Sequence, residues 1–272
     1  MTNERTPPAF AATAGPAYTP PMYAIAISLF VTACVFIGGL SGLLLHPKLP
    51  QSHLTRETQD VVRLGIGMLS VLASLVLGLL IATAKGSSDT TDRDVRSYAA
   101  DVIVLAETLR DYGADAATPT SLLRQFTTET LHDIWPEGGA APALADPRTG
   151  QTLEHVREAI RALRPVDAGQ QWLQDQALTL VTSLLRQRWQ LIEHQGPNVR
   201  PVVLVILVSW ITVIFASFGL NAPRNATVVV AFMVCSMAIG GSVFLIIEMD
   251  NPFQGALQIP RAPMANALAQ MQ

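Results

Sequence analysis

Apolar and polar positions divide the chain into four long uncharged runs and a polar middle. The second run organises the rest. Leu64 to Ala84 (LGIGMLSVLASLVLGLLIATA) is about 21 residues long, and as a helix it spans about 30 Å, the thickness of a bilayer's hydrocarbon core. Lys85, Asp89, Asp92, Arg93 and Asp94 mark its exit into water. The helical period continues beyond them. Val95, Tyr98, Val102, Leu105, Leu109 and Tyr112 recur at alternating steps of three and four, the stripe of an amphipathic helix that packs on other helices. Gly113 is a stop signal. The pattern predicts one long helix, or two nearly collinear ones, leaving the membrane and entering a water-soluble helical layer.

The other runs are Met22–Leu45, Val202–Leu220 and Ala226–Ile247, the last two joined by a tight turn from Asn221 to Asn225. Met22–Leu45 is too long for a secretion signal, no basic cluster precedes it, and HPKLP follows where a small-residue cleavage site would belong, so a retained span is expected. Gly38 and Gly42 in the first span, and Ser236, Gly240 and Gly241 in the fourth, predict close helix contacts. Residues 1–21, rich in Pro, Ala and Thr without an apolar period, are expected to be a disordered tail. In the middle, Thr118 reads as a helix N-cap with Pro119 at the first helical position, followed by Leu122, Phe126 and Ile134 on an apolar face. A second helix presents Leu153, Val156, Ile160 and Leu163. A third, capped by Asp167, runs to about Gln195 and buries Leu173, Ala177, Leu180, Leu184 and Leu191, with Trp189 alongside. No alternating strand pattern occurs between Ser87 and Gln195. The carboxy-terminal stretch reads as partly extended at its prolines.

The expected architecture is all-α: a multi-pass membrane protein with four transmembrane helices, as two hairpins flanking a cytoplasmic helical domain. Its divisions are a tail (1–21), a first hairpin (22–85), the helical domain (86–200), a second hairpin (201–247) and an interfacial segment (248–272). Composition agrees, since 50% hydrophobic with 14% charged residues is too apolar for an ordinary soluble domain. Arg5, Lys85, Arg93, Arg96, Arg186, Arg188, Arg200 and Arg261 fall on one side of this topology, against Lys48, Arg56, Arg63 and Arg224 on the other. That excess places both termini and the middle domain in the cytoplasm, beneath a bacterial inner membrane. A net charge of −3 gives no reason to expect a nucleic-acid partner. Cys34 and Cys235 both sit in apolar runs and read as buried inert thiols rather than a disulfide framework.

Catalytic chemistry is not visible. None of His46, His53, His132, His155 and His194 has another His or Cys at ligand spacing. No nucleophile elbow, phosphate loop or dinucleotide fingerprint is present. Glu154 and Glu158 lie four apart on a helix amid arginines, a solvated face. Neither an enzyme nor a cofactor is expected. No residue inside the spans is charged, which argues against a proton-coupled transporter. The hydroxyls there, among them Ser28, Thr32, Ser70, Ser74, Ser209 and Thr212, serve either helix hydrogen bonding or a polar pore lining. Glu248, Asp250, Pro252 and Phe253, just past the fourth span, have two readings. One is an interfacial anchor with Phe253 docked beneath the membrane. The other is a gate or cation-binding loop.

The run SHLTRETQDVVRLGIGMLSVLASLVLGLLIATAKGSSD and the later NATVVVAFMVCSMAIGGSVFLIIEMDNPFQGALQI resemble the bacterial bestrophin-like membrane proteins, a family catalogued mainly as a domain of unknown function. The resemblance covers about residues 22 to 270. It implies distant kinship with bestrophins, pentameric anion channels with four spans per subunit and a large cytoplasmic helical part. Asn251-Pro252-Phe253 is similar to a bestrophin Asn-Pro-Phe-Gly segment that begins an acidic cation-binding loop. Here Gln254 intrudes and the acidic cluster is missing, which argues against calcium control. Bestrophins narrow the pore with aromatic residues on the second span, whereas Leu64–Ala84 has none. A constriction here would be aliphatic, from Ile66, Leu69 or Leu72, gating by dewetting. The resemblance implies a homo-oligomer in the lipid bilayer, a pentamer, conducting small anions. The competing expectation is a non-conducting scaffold or sensor whose helical domain binds a protein partner, motivated by the stripe from Val95 to Tyr112.

Overall fold

The computed structural model describes residues 21–45, 56–136, 142–193 and 199–271, and these are all-helical, with no strand among them. In chain order the helices are α1 (Pro21–Leu45), α2 (Arg56–Tyr112), α3 (Ala117–Ile134), α4 (Pro147–Arg161), α5 (Ala168–Glu193), α6 (Pro201–Asn221), α7 (Ala226–Asp250) and α8 (Ala262–Gln270). The expected tail, except Pro21, and the segment 46–55 after α1 lie outside the described residues. α1, α2, α6 and α7 are each long and apolar enough to cross a membrane.

α2 is a single helix of 57 residues, about 85 Å long. It contains no proline, so no backbone donor is lost along it. It stops at Tyr112 because Gly113 takes φ 108°, a conformation that costs glycine least.

The apolar layer is built by close backbone approach. α1 packs chiefly on α6 and α7, and the apolar half of α2 packs on the same two helices. Lipid tails are as apolar as leucine, so bringing helices together gains little hydrophobic free energy there and small residues in tight contact supply the attraction. Gly38 and Gly42 of α1 lie against Thr212 and Ala216 of α6, and a Cβ on Gly42 would stand 1.9 Å from the Ala216 carbonyl oxygen. Gly240 of α7 meets Ser28 and Thr32 of α1 as closely. Gly241 faces open space instead. At the α6–α7 turn, Arg224 donates from Nε and Nη2 to the Leu43 carbonyl at 3.1 and 2.9 Å, satisfying a carbonyl that the end of α1 leaves orphaned. Ser28, Thr32, Ser70, Ser74 and Thr212 each donate to the carbonyl four residues earlier. The intrahelical reading of these hydroxyls is therefore the one observed.

The polar half of α2 carries a helical body made with α3, α4, α5 and α8. Every residue of the expected stripe, from Val95 to Tyr112, is buried in its core. Tyr98 meets Phe126 edge-on at 6.3 Å. Asp101 of α2 accepts from Ser183 Oγ and Gln187 Nε2 of α5 at 3.0 and 2.6 Å. Asp146 caps α4 ahead of Pro147, and Asp167 accepts from the Gln170 amide at the start of α5, as its position predicted.

Three local expectations change. α3 begins at Ala117, ahead of Thr118, because a 3-10 turn (Ala114–Ala116) runs into it and supplies backbone bonds in place of a side-chain cap. Trp189 is exposed on α5, and Val181 is among the residues that fill the buried face. α8 replaces the extended end, with Met264 and Ala267 fully buried against the body.

Replacing Gly42 by Ala forces a methyl into the α6 backbone and should destabilise the protein by about 1–3 kcal/mol, the usual cost of overpacking. Gly241→Ala should leave stability unchanged or slightly raised. Thermal unfolding of both variants in detergent checks the opposite signs.

Candidate functional site

α7 ends in a hydrogen-bonded joint. Glu248, in its last turn, is only 4% exposed. Beyond it the Asn251 amide donates to the Glu248 carbonyl, Asn251 Nδ2 donates to Ile247 O, and the Gln254 amide donates to Asn251 O. Gly255 then takes φ 84°, which swings the chain back over the Glu248 carboxylate. The Ala256 and Leu257 amides donate to Glu248 Oε2 at 2.6 and 3.4 Å. A Cβ on Gly255 would stand 2.2 Å from that same oxygen, so glycine is required for space as well as for φ.

The neighbours extend the joint. The Val199 amide lies 3.3 Å from both Asp250 oxygens, tying the end of α7 to the entry of α6. Phe253 is buried in the core of the helical body, edge-on to Trp135 at 6.3 Å. Trp135 Nε1 donates to the Ile259 carbonyl at 2.9 Å, and the Ile259 amide donates to Pro252 O at 2.8 Å. Phe253 therefore docks in the helical body, because Trp135 offers it an aromatic edge and the loop is closed around it. Glu248 spends its carboxylate on backbone amides of its own loop. Among the described residues no group of three or more His, Cys, Asp or Glu is placed to hold a metal ion.

The second candidate surface is α2 itself. Its inward face is one line: Ile66, Leu69, Ala73, Val76 and Leu80 pack on α6 and α7, and Thr91, Val95, Tyr98 and Val102 continue it into the body. The opposite face is uncovered along its length, including Leu64, Val71, Leu75, Ala82, Arg93 and Ala100. Of an 18-residue apolar stretch in each span, 6% is buried in α2 against 28–33% in the others. Gly65, Gly67, Gly78 and Gly86 have nothing within 4 Å of where a Cβ would stand. Of the three aliphatic residues expected at a constriction, only Leu72 stands on the uncovered side. Ile66 and Leu69 are partly buried against helices of the same chain, because the steps of three and four that bury Ala73 bury them too. The stripe was legible in the sequence, but its facing was not, since an all-apolar segment shows no polar side.

Asp133, on α3 in the body, has a displaced titration. Burial raises it above its ordinary value, and the hydroxyl of Thr149, which donates to it, partly offsets the shift.

Among the described residues, four apolar helices of spanning length, one prolonged into a buried stripe of a helical body, define a multi-pass membrane protein. The chain belongs to the Bestrophin-like family, whose domain it matches over residues 33–264. Its fold is similar to crystal structures of a bacterial bestrophin homolog from Klebsiella pneumoniae. One, phased with zinc, shares 15% identity at TM-score 0.64, covering 89% of this chain and 96% of that one. Two point variants of the homolog give TM-scores of 0.68 and 0.64 at 15% and 16% identity, covering 91% and 89% of this chain and 96% and 97% of theirs. No curated protein matches the chain in sequence.

Glu248→Ala strands buried amides and should cost about 1–3 kcal/mol, with new protease cleavage between residues 251 and 259. Glu248→Gln, which keeps an acceptor, should lose less. Because the folded-state value of Asp133 is raised, its stabilising contribution is complete below the ordinary carboxylate range and is lost as pH rises through the folded value. Asp133→Asn should therefore flatten the fall of melting temperature as pH rises from the ordinary carboxylate range, relative to the parent protein.

Proposed function

We propose that this protein forms a ring of identical subunits in a bacterial inner membrane and conducts small anions along an axis lined by α2. The carrying observation is the uncovered face of α2, which runs from the apolar layer into the helical body in one register. Lipid would satisfy its apolar part, but the same face continues past Lys85 through Arg93 and Ala100, where lipid cannot reach. Neighbouring copies around an axis would meet both parts at once. The count of five subunits and the preference for anions rest on the resemblance to bestrophins.

In this reading α1 with the apolar half of α2, and α6 with α7, are hairpins flanking a cytoplasmic body, and both termini are cytoplasmic, as the Lys and Arg asymmetry favours. Residues 1–21, 22–85, 86–200 and 201–247 divide as tail, hairpin, body and hairpin. The segment 248–272 serves the body, since its joint and α8 pack there. The constriction is aliphatic and falls on Leu72 with Met68, Val71 and Leu75, all more than half exposed. Such a ring gates by dewetting. Glu248, Asp250, Pro252 and Phe253 act on the gate by fixing α6 and α7 to the body. The competing reading, a scaffold that binds a soluble partner, drew on the stripe from Val95 to Tyr112, and that stripe is buried by the chain's own helices.

Purified protein in planar bilayers should conduct, and Leu72→Thr should raise the conductance several-fold by wetting the constriction, while Ile66→Thr should not. Absence of conductance above background across several salts and voltages overturns the channel reading. A detergent-solubilised mass of one subunit overturns the ring.

A further inference from the structure

Inside the helical body, where α2, α3, α4 and α5 meet, lies a chamber whose polar wall is Tyr98, Thr130, Asp133, Thr149 and Arg188. Its volume, counted for the centre of a water-sized sphere, is about 10 Å³, the room one water molecule needs. Two of its polar atoms, Tyr98 Oη and Thr130 Oγ1, are buried and close enough for the Thr130 hydroxyl to draw against the burial of the Tyr98 phenol, yet neither completes a well-aligned hydrogen bond. The residues carrying them are 1% and 6% exposed. The other polar groups are engaged: Thr149 Oγ1 donates to Asp133, and Arg188 Nη2 donates to the Asp146 carbonyl at 2.8 Å. Incompletely bonded hydroxyls in a packed interior are costly and rare, and here both border a chamber of the right size.

We propose that this chamber binds one water molecule, hydrogen-bonded to Tyr98 Oη and Thr130 Oγ1, which joins the α2 rod to α3. Each hydroxyl can donate or accept, so a single water satisfies both. A carboxylate and a guanidinium of opposite charge on the wall leave no net field to favour an ion. A hard cation would want more oxygens than the chamber offers, and a halide would sit beside the Asp133 carboxylate. Burial pushes the Tyr98 phenol well above its ordinary value, so it stays neutral and keeps its proton for the water. The consequence is a wet polar point at the middle of an otherwise apolar stripe, fixing the depth at which α3 sits along α2.

The test is a density map of the full-length protein in detergent or nanodiscs, at a resolution that shows ordered solvent, for the parent and three variants. A solvent peak within hydrogen-bonding distance of both hydroxyls is expected in the parent. It should persist in Thr130→Ser and vanish in Tyr98→Phe, whose ring stays in place. Thermal unfolding adds a second readout. Tyr98→Phe and Thr130→Val should each lower the melting temperature, and the double variant should fall by clearly less than the sum. An empty chamber, the two hydroxyls bonded directly to each other, an additive double variant, or an anomalous bromide peak between them after bromide exchange would each overturn the proposal.

Discussion

One helix has to bury the same line of side chains in two different surroundings, and the other elements are placed by that demand. α2 keeps a single register through its 57 residues, so the face turned to α6 and α7 at Ile66, Ala73 and Leu80 is the face turned to the body at Val95, Val102 and Leu109. A kink or a half-turn slip after Lys85 would set the body on a different side of the rod from the apolar layer. No proline interrupts the helix, and the identity of the two stripes removes any packing reason for it to bend. The rest of the chain gathers on one side as a result.

The two halves are held by different forces. In the apolar layer glycines bring helices close, with Gly38, Gly42, Gly219 and Gly240 admitting neighbouring atoms closer than a Cβ permits, beside buried side chains such as Leu207, Phe215 and Phe232. In the body the contacts are between large side chains, Tyr98, Phe126, Leu105 and Leu153 among them, each almost fully buried. That division follows from solvent. Water drives large apolar groups together, whereas lipid does not, and small residues then gain most by letting helices touch. The joint after α7 lies between the two regimes. Besides the packing of Phe253 on Trp135, it relies on charged and aromatic side chains bonded to backbone: Glu248 to Ala256, Asp250 to Val199, Trp135 to Ile259.

Much of this was legible in the sequence where a period or a cap carried it. The stripe from Val95 to Tyr112, the Gly113 stop, the cap at Asp167 and the small-residue contacts at Gly38, Gly42 and Gly240 are local patterns with one physical meaning. α8 had a signal as well, with Met264, Ala267, Leu268 and Met271 at helical steps after Pro263, but prolines weigh against a helix when read one by one. Phe253 could not be placed from sequence, because its partner Trp135 is far away in the chain and on another helix. Nor could the role of Glu248 be read, since a carboxylate beside an apolar run looks the same whether it meets water, a cation or two amides of its own loop. Gly255 was the available hint, as a glycine shortly after a helix end permits a left-handed return.

The facing of α2 decides how these parts bear on function. Along Leu64–Ala84 every position is apolar or small, so sequence alone cannot say which side meets the same subunit, and Ile66, Leu69 and Leu72 look equivalent. Packing separates them: Ile66 and Leu69 are used inside the chain, and Leu72 is left over with Met68, Val71 and Leu75. An uncovered apolar face in a lone spanning helix needs no explanation beyond lipid. This face does not end where a bilayer would. It carries on through Arg93, Ala100 and Val104 in the register of the same helix, with no helix among the described residues laid across it. In the proposed ring, a surface uncovered on both sides of that boundary is the wall that copies share around the axis.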